Sequence, residues 1–490
     1  MSEKSIWSES VSGKMRSSLG ENIRTNTVII GGGMAGILTA YFLVQAGVPC
    51  VVVEADRIGS GQTKNTTAKV TSQHGLIYEK LLQSEGLEKA KQYARANQEA
   101  IERYRNLAGI LKNDVEWRDC SSYLYTRQDT KKLQREFEAA QKLGIQAELT
   151  EKTSLPFEVK QALEFKRQGQ IHPLKFLYSI AENITVYEKT KVKCVEEHVV
   201  KTDSGEIYAK HIVFACHYPF QNRPGYYFLR MHQERSYVLA IKSGGILEGV
   251  YYGIDEDGVS LRQWGEYLLL GGGSHRTGKK ICGNPYEYLT HVADEYWPGC
   301  PEAARWSAQD CMTLDKIPYI GQYSRSRPYW YVATGFQKWG MTGSMVSAMI
   351  LSDLICKRKS KYAEVFSPLR FHMQTSVGPF FNESGHAAAG LMKQAAGAPE
   401  EKLEALRPGQ GGIIEQGGRK YGAYKDESGK VYKISVRCPH LGCQLQWNEV
   451  EKSWDCPCHG SRFDYRGRRL DEPAQEDIGC HILDIRTGSD

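Results

Sequence analysis

The 490-residue chain has no run approaching the roughly 18 consecutive apolar residues that a membrane helix needs. Its start, Met1 to Asn26, is polar and has no apolar core of the kind a secretion signal carries. A basic arm is missing too. The formal charge is +6, and residues 406–490 hold thirteen basic and thirteen acidic side chains, so nucleic acid is not an expected partner. No two histidines stand five residues apart, which removes the close pair that a mononuclear iron bound by two histidines and a carboxylate usually takes. Eight of the thirteen cysteines (Cys50, Cys120, Cys194, Cys216, Cys282, Cys300, Cys311 and Cys356) are scattered without paired spacing. That pattern fits buried thiols in a reducing compartment better than a disulfide framework. These absences predict a chain with no transmembrane segment and a cytoplasmic location.

What is present is concentrated near the C-terminal end. Cys438-Pro439-His440-Leu441-Gly442-Cys443 is followed by Cys456-Pro457-Cys458-His459-Gly460-Ser461-Arg462-Phe463. Two thiolates and two imidazoles suit tetrahedral zinc or a 2Fe-2S cluster with a histidine pair on one iron. Each loop supplies one cysteine and one histidine, whereas zinc fingers usually pair like with like. The segment resembles the Rieske domain of respiratory quinol-oxidising cytochrome complexes, over roughly residues 406–490. The resemblance implies an all-β domain with one 2Fe-2S cluster, Cys438 and Cys456 on the inner iron and His440 and His459 on the outer one. It implies that both imidazoles reach the surface, the arrangement for passing an electron outward. It further implies a Cys443–Cys458 disulfide and a third loop at Asp471-Glu472-Pro473-Ala474. Phe463 stands where those relatives carry a tyrosine, so a hydroxyl donor toward a cluster sulfur is missing.

Near the other end, Thr27-Val28-Ile29-Ile30 reads as a buried strand, followed by Gly31-Gly32-Gly33-Met34-Ala35-Gly36 and an apolar helix to Gln45. Cys50-Val51-Val52-Val53 gives a second strand that ends on Glu54. Strand, glycine turn and helix place backbone N–H groups and a positive dipole end against a pyrophosphate, and the acid at the second strand end suits a ribose. A loop rich in glycine and threonine follows, through Gly59, Gly61, Thr63, Thr66 and Thr67. This stretch resembles the D-amino acid oxidase class of FAD-dependent oxidoreductases, which includes glycine and sarcosine oxidases. The likeness runs over roughly residues 25–360, to Met312–Gly321 and to Gly335-Phe336-Gln337-Lys338-Trp339-Gly340-Met341-Thr342-Gly343, which leads into a helix to about Ile355. It implies one FAD, held non-covalently at Gly31, Gly33, Met34, Ala35, Gly36, Glu54, Thr63, Thr66, Thr67, Val192, Gly335, Gly340 and Thr342. The helix start after Gly340 is expected to face the flavin, its dipole favouring a reduced, negative ring.

The expected organisation is a polar N-terminal tail over 1–24, a D-amino acid oxidase-like domain over 25–370, a linker over 371–405 and the Rieske domain over 406–490. The fold class is an α/β FAD-binding (Rossmann-like) domain with an inserted antiparallel-sheet substrate domain, plus a C-terminal all-β Rieske domain. The substrate end is less specified. Lys338 stands where glycine oxidases carry a cation for the substrate carboxylate, and His275 closes a Gly271-Gly272-Gly273-Ser274 run; both are the candidate catalytic residues. Lys69, His74, Tyr251, Tyr252 and Arg262 are further pocket candidates. The implied activity is oxidation of a small amine, amino acid or similar metabolite, with electrons passing from flavin to cluster and on to an external acceptor, a protein or a quinone-like molecule. The alternative is an electron-transfer adaptor between partner proteins with no small-molecule substrate.

Overall fold

The structure, a computed structural model, describes residues 4–112, 114–245, 247–281, 283–370 and 403–483. Cys282 and nearly all of the expected linker lie outside these residues. The chain forms two compact units. Of the described residues, the first comprises those within 4–225, 236–274 and 285–370; the second gathers those within 226–235, 275–284 and 403–483.

The first unit is built on an eight-stranded sheet. β1 (Ile23–Ile30) pairs in parallel with β2 (Cys50–Val53) on one side and with Glu206–Phe214 on the other. Glu206–Phe214 then pairs in parallel with Arg327–Thr334. Between β1 and β2 runs α1 (Met34–Gln45), whose residues from Met34 to Ala40 are all buried. A helix apolar on every side requires cover on every side, and α1 packs against α2 (Gly340–Ile355), which is buried from Met341 to Ser352. Strands buried on both faces read as unbroken apolar runs, which is why Val28 to Ile30 and Cys50 to Val53 stand out in the sequence. A second sheet of nine strands includes Lys69–Val70, Arg118–Thr126, Gln161–Gln170, Val250–Gly253, Ser260–Trp264 and Tyr267–Arg276. Alternating burial along Glu302–Thr313 is the period-two signature of a strand with one face on the core.

The stretch expected as a polar tail is partly core. Ile6–Ser10 forms a short helix, and Trp7 is fully buried with its ring edge-on to those of His172 and Trp264. One large aromatic outweighs its polar neighbours because burying it removes about 150–250 Å² of surface from water.

The second unit carries two four-stranded antiparallel sheets. One runs Gly411–Gln416, Arg419–Lys425, Val431–Ser435 and Cys480–Leu483; the other runs Gln446–Asn448, Ser453–Asp455, Arg462–Asp464 and Arg469–Asp471. Its core joins Cys438, Cys443, Cys456 and Cys458 with Leu445, Trp454, Phe463 and Ala474. Among the described residues no helix is long and apolar enough to cross a membrane.

Candidate cluster and flavin sites

The two cysteine-histidine loops are built alike. Cys438 N–H donates to Cys443 O at 2.9 Å, and Gly442 N–H returns to Cys438 O at 2.9 Å. In the second loop Cys456 N–H donates to Ser461 O at 2.8 Å, and Gly460 N–H returns to Cys456 O at 2.9 Å. Each loop therefore closes on its own cysteine. The two are tied together by a Cys443–Cys458 disulfide with Cα atoms 6.6 Å apart, as the Rieske resemblance implies. That pair lies within 4.8 Å of the Cys456 sulfur, but its sulfurs are bonded to each other and are not thiolate ligands.

The remaining donors form two pairs, one of sulfur and one of imidazole. Cys438 and Cys456 are buried and hydrogen-bond through sulfur; the bond holds Cys438 down to about 7 and pushes Cys456 well up. Two buried thiols that cannot both ionise alone can both be thiolates once a cation stands between them. The His440 and His459 rings lie 4.9 Å apart at 89°. Burial lowers His440 to about 4 and His459 to about 3, so both imidazoles are neutral at physiological pH, the form that ligates a metal. His459 Nδ1 is buried without a hydrogen-bond partner among the described residues. The donor set fits a cluster with two sulfur and two imidazole ligands. Ser461 Oγ accepts from Ala474 N–H at 3.0 Å, joining the second loop to the third. The expectation that both imidazoles reach the surface needs correction: His459 is 5% exposed, His440 is half-buried, and the Phe228 ring stands edge-on to both.

In the first unit the glycine turn has the tightness a dinucleotide needs. Gly31 has φ +114°, and a Cβ there would meet Ala215 O at 2.5 Å; a Cβ on Gly36 would sit 2.0 Å from Gly31 O. No side chain fits at either position, so α1 can start directly against β1. Glu54 stands at the end of β2, its carboxylate accepting from Gly32 N–H at 2.7 Å and Asp56 N–H at 2.9 Å. Its carbonyl accepts from Thr190 N–H, which brings the strand that begins at buried Val192 beside it. Thr63 Oγ accepts from Met34 N–H at 3.1 Å, so the threonine loop caps α1. The same loop is held from behind by donors far away in sequence. Trp7 Nε1 donates to Thr66 O at 2.7 Å, Trp306 Nε1 to Asn65 O at 2.9 Å, and the Arg262 guanidinium to Thr67 O.

The pocket candidates differ in what holds them. Arg262 is fully buried, spent on Thr67 O, Ile171 O and Gln170, and lies over the rings of Trp7 and Trp264. It shapes the loop. His74 is pushed down to about 3 by burial; it bonds Tyr93 and both Thr71 O and Thr342, and stacks on Trp339 at 4.9 Å. Tyr251 stacks on Tyr123 and bonds Ser154. Tyr252 lies against the Trp339 ring. Lys69 bonds Tyr251 O and Ser260, and burial lowers it to about 7, aided by the Arg262 charge. Lys338 sits on the turn before α2, after Gln337 at φ +55°, half-buried, and its Nζ donates to Ser274 Oγ at 2.6 Å. Gly335 (φ +71°) opens that turn, and Thr342 is buried in the first turn of α2. Gly340 has open space where a side chain would stand. His275 falls in the second unit and Lys338 in the first, so the two catalytic candidates belong to different units. The distant donors Trp7 and Trp306 were missed from sequence; the one available signal was a tryptophan in an otherwise polar N-terminal stretch.

Comparison with known proteins assigns both regions to known families. Residues 26–354 match the FAD dependent oxidoreductase family, DAO, and residues 399–482 match the Rieske [2Fe-2S] domain. The putative Rieske 2Fe-2S iron-sulfur protein YhfW of Bacillus subtilis is 39% identical over 473 residues, 93% of each chain. Cytochrome b6-f complex iron-sulfur subunit 2 of Cyanophora paradoxa is 34% identical over 125 residues, 23% of this chain and 52% of that one. Glycine oxidase from Geobacillus kaustophilus superposes with a TM-score of 0.60 at 18% identity, covering 71% of this chain and 99% of that one. L-Proline dehydrogenase from P. horikoshii gives 0.60 at 20% identity, covering 72% and 98%. At such identities the structural likeness is one of fold.

Proposed function

The chain belongs to the FAD dependent oxidoreductase family and ends in a Rieske [2Fe-2S] domain, and on that premise we propose that it oxidises a small amine, amino acid or similar metabolite and delivers the electrons to an external acceptor, a protein or a quinone-like molecule, in the cytoplasm. When bound, FAD supplies hydride acceptance and the 2Fe-2S cluster supplies one-electron transfer. The observation that carries the reading is that one chain holds both a glycine turn tied to Glu54 through Gly32 N–H and two neighbouring pairs of donors, Cys438 beside Cys456 and His440 beside His459.

The chain's own residues take these roles. Gly31, Gly33, Met34, Ala35 and Gly36 form the pyrophosphate turn, Glu54 the ribose contact and Val192 the adenine contact. Thr63, Thr66 and Thr67 would line the flavin loop, and Gly335, Gly340 and Thr342 would border the ring. Cys438 and Cys456 would hold one iron and His440 and His459 the other, with the Cys443–Cys458 bridge bracing their loops. Lys338 holds a substrate carboxylate once it leaves Ser274, and His275 is the second pocket candidate.

Anaerobic titration of the purified, oxidised holoprotein with a panel of amines and amino acids tests the proposal. A substrate should bleach first the flavin and then the cluster. If no small molecule reduces the flavin while a reduced partner protein does, the chain is an electron-transfer adaptor.

A further inference from the structure

The second unit is not the C-terminal region alone. It includes two stretches from the middle of the chain, Tyr226–Arg235 and His275–Asn284. Both fall inside the segment that matches the FAD dependent oxidoreductase family. In this unit they touch the loop that bears His459 and the residues flanking it, Glu451, Asp471 and Glu472.

Gln233 is 1% exposed, and its amide nitrogen donates to His459 O and to Glu472 O, each at 2.8 Å. The approach is so close that a Cβ on Gly460 would meet Gln233 Cβ at 2.6 Å. The Arg276 guanidinium donates to Pro457 O at 3.3 Å and Cys458 O at 3.2 Å. Thr277 N–H donates to Gln233 O at 3.0 Å, which binds the two stretches to each other. Arg235, its side chain 3% exposed, donates through Nε to Glu451 at 3.1 Å and lies 3.6 Å from Asp471. Arg462 reaches both of these acids at 3.0 Å and Asp455 at 3.0 Å. A buried ion network of this kind is hard to open, because a partner left behind is an uncompensated buried charge. So held, the first stretch sets the Phe228 ring edge-on to His459 at 5.7 Å and to His440 at 6.2 Å.

We infer that the imidazole edge of the cluster is covered by the chain's own segment Tyr226–Arg235, with Phe228 as the covering ring, and is not a docking surface for an external redox protein. The inference rests on the reading that His440 and His459 are cluster ligands. Phe228 is a positioning residue: it shields the ring edges. An external acceptor then approaches the cluster by another face.

Diethyl pyrocarbonate, which acylates accessible imidazole nitrogen, tests this on the full-length holoprotein, with peptide mass spectrometry reading each histidine. Exposed His481 in the same unit is the internal reference. Iron, labile sulfide and the reduced-state paramagnetic signal are measured first; their absence overturns the ligand assignment and this inference with it. With the cluster present, His440 and His459 should react at least about tenfold more slowly than His481. Phe228→Ala should raise both rates about fivefold or more, and Phe228→Tyr should keep the protection. The midpoint potential of Phe228→Ala should also rise, since water at the edge favours the more negative reduced cluster. Where Phe228→Ala fails to load a cluster, Gln233→Ala loosens the same segment and should give an intermediate rate. Parent rates equal to that of His481, or rates unchanged in a cluster-loaded Phe228→Ala or Gln233→Ala protein, would overturn the inference.

Discussion

The cluster loops and the flavin loop are held by opposite means. Each cysteine-histidine loop closes on itself through two backbone hydrogen bonds and is then locked to the other by a disulfide. The threonine loop of the flavin site has carbonyls pinned by side chains 59, 195 and 241 residues away. A cluster is a small, charged object whose four donors must stand at fixed geometry, and short self-closed loops supply that. FAD is long and touches many elements, so its site has to be assembled from the whole fold. Local closure makes a site rigid in itself; remote pinning makes it depend on the integrity of everything behind it.

The largest effect should come from emptying one site and leaving the other. Cys438→Ser removes a cluster donor; flavin content and substrate-driven flavin bleaching should persist while turnover with a one-electron acceptor stops. Turnover equal to that of the parent, in protein verified to lack the cluster, would make the cluster a bystander. Next is Arg235→Met, which strips a buried cation from Glu451 and Asp471 and should destabilise the second unit by about 3–5 kcal/mol. In a thermal melt the cluster's visible dichroism should be lost at lower temperature, with the flavin transition little moved.

Smaller still is Lys338→Met. Loss of a charge-assisted contact of about 1.5–3 kcal/mol should raise the apparent KM for a carboxylate substrate by about one to two orders of magnitude, with FAD content unchanged. Steady-state kinetics on that substrate decide it, and an unchanged KM returns Lys338 to an ordinary turn lysine. Phe463 lies fully buried among the four cysteines, so Phe463→Tyr can offer the missing hydroxyl to a sulfur. A bond stronger by about 1.4 kcal/mol in the reduced state raises the midpoint by about 60 mV, measurable by a redox titration followed by paramagnetic resonance. The smallest effect is that of Trp7→Phe, which deletes the N–H held by Thr66 O. About 1 kcal/mol, or roughly fivefold weaker FAD binding, should appear in a reconstitution titration without change in the cluster spectrum.

The same contrast explains what could be read from the chain. Cys438, His440, Cys456 and His459 stand out in the sequence because a cluster with two sulfur and two imidazole ligands would demand those residue types close together in two short loops. Gly31, Gly36 and Glu54 are legible for a similar reason: a strand, a turn and a helix are local objects, and only glycine fits where a Cβ would strike Ala215 O or Gly31 O. Trp7 went unread because a lone aromatic in a polar stretch carries no period, and its role exists only once Thr66 is brought to it. The cover over His459 was equally invisible, since Gln233 and His459 are 226 residues apart and nothing in either motif points to the other. Lys338 and His275 stay open because a substrate pocket is specified by shape, and shape leaves no fixed spacing.

The three-stretch make-up of the second unit bears on how the chain can be cut, shuffled and made. A fragment beginning at residue 403 would contain every cluster donor and look like a portable module. It would also leave Glu451 and Asp471 without Arg235, and the carbonyls of Pro457, Cys458 and His459 without Arg276 and Gln233. On the ribosome, residues 226–235 and 275–284 emerge well over a hundred residues before the loops they serve. At the usual pace of synthesis they wait roughly ten seconds or more for them. A lineage that swapped this terminus for another Rieske domain would therefore have to rewrite two passages in the middle of the gene as well.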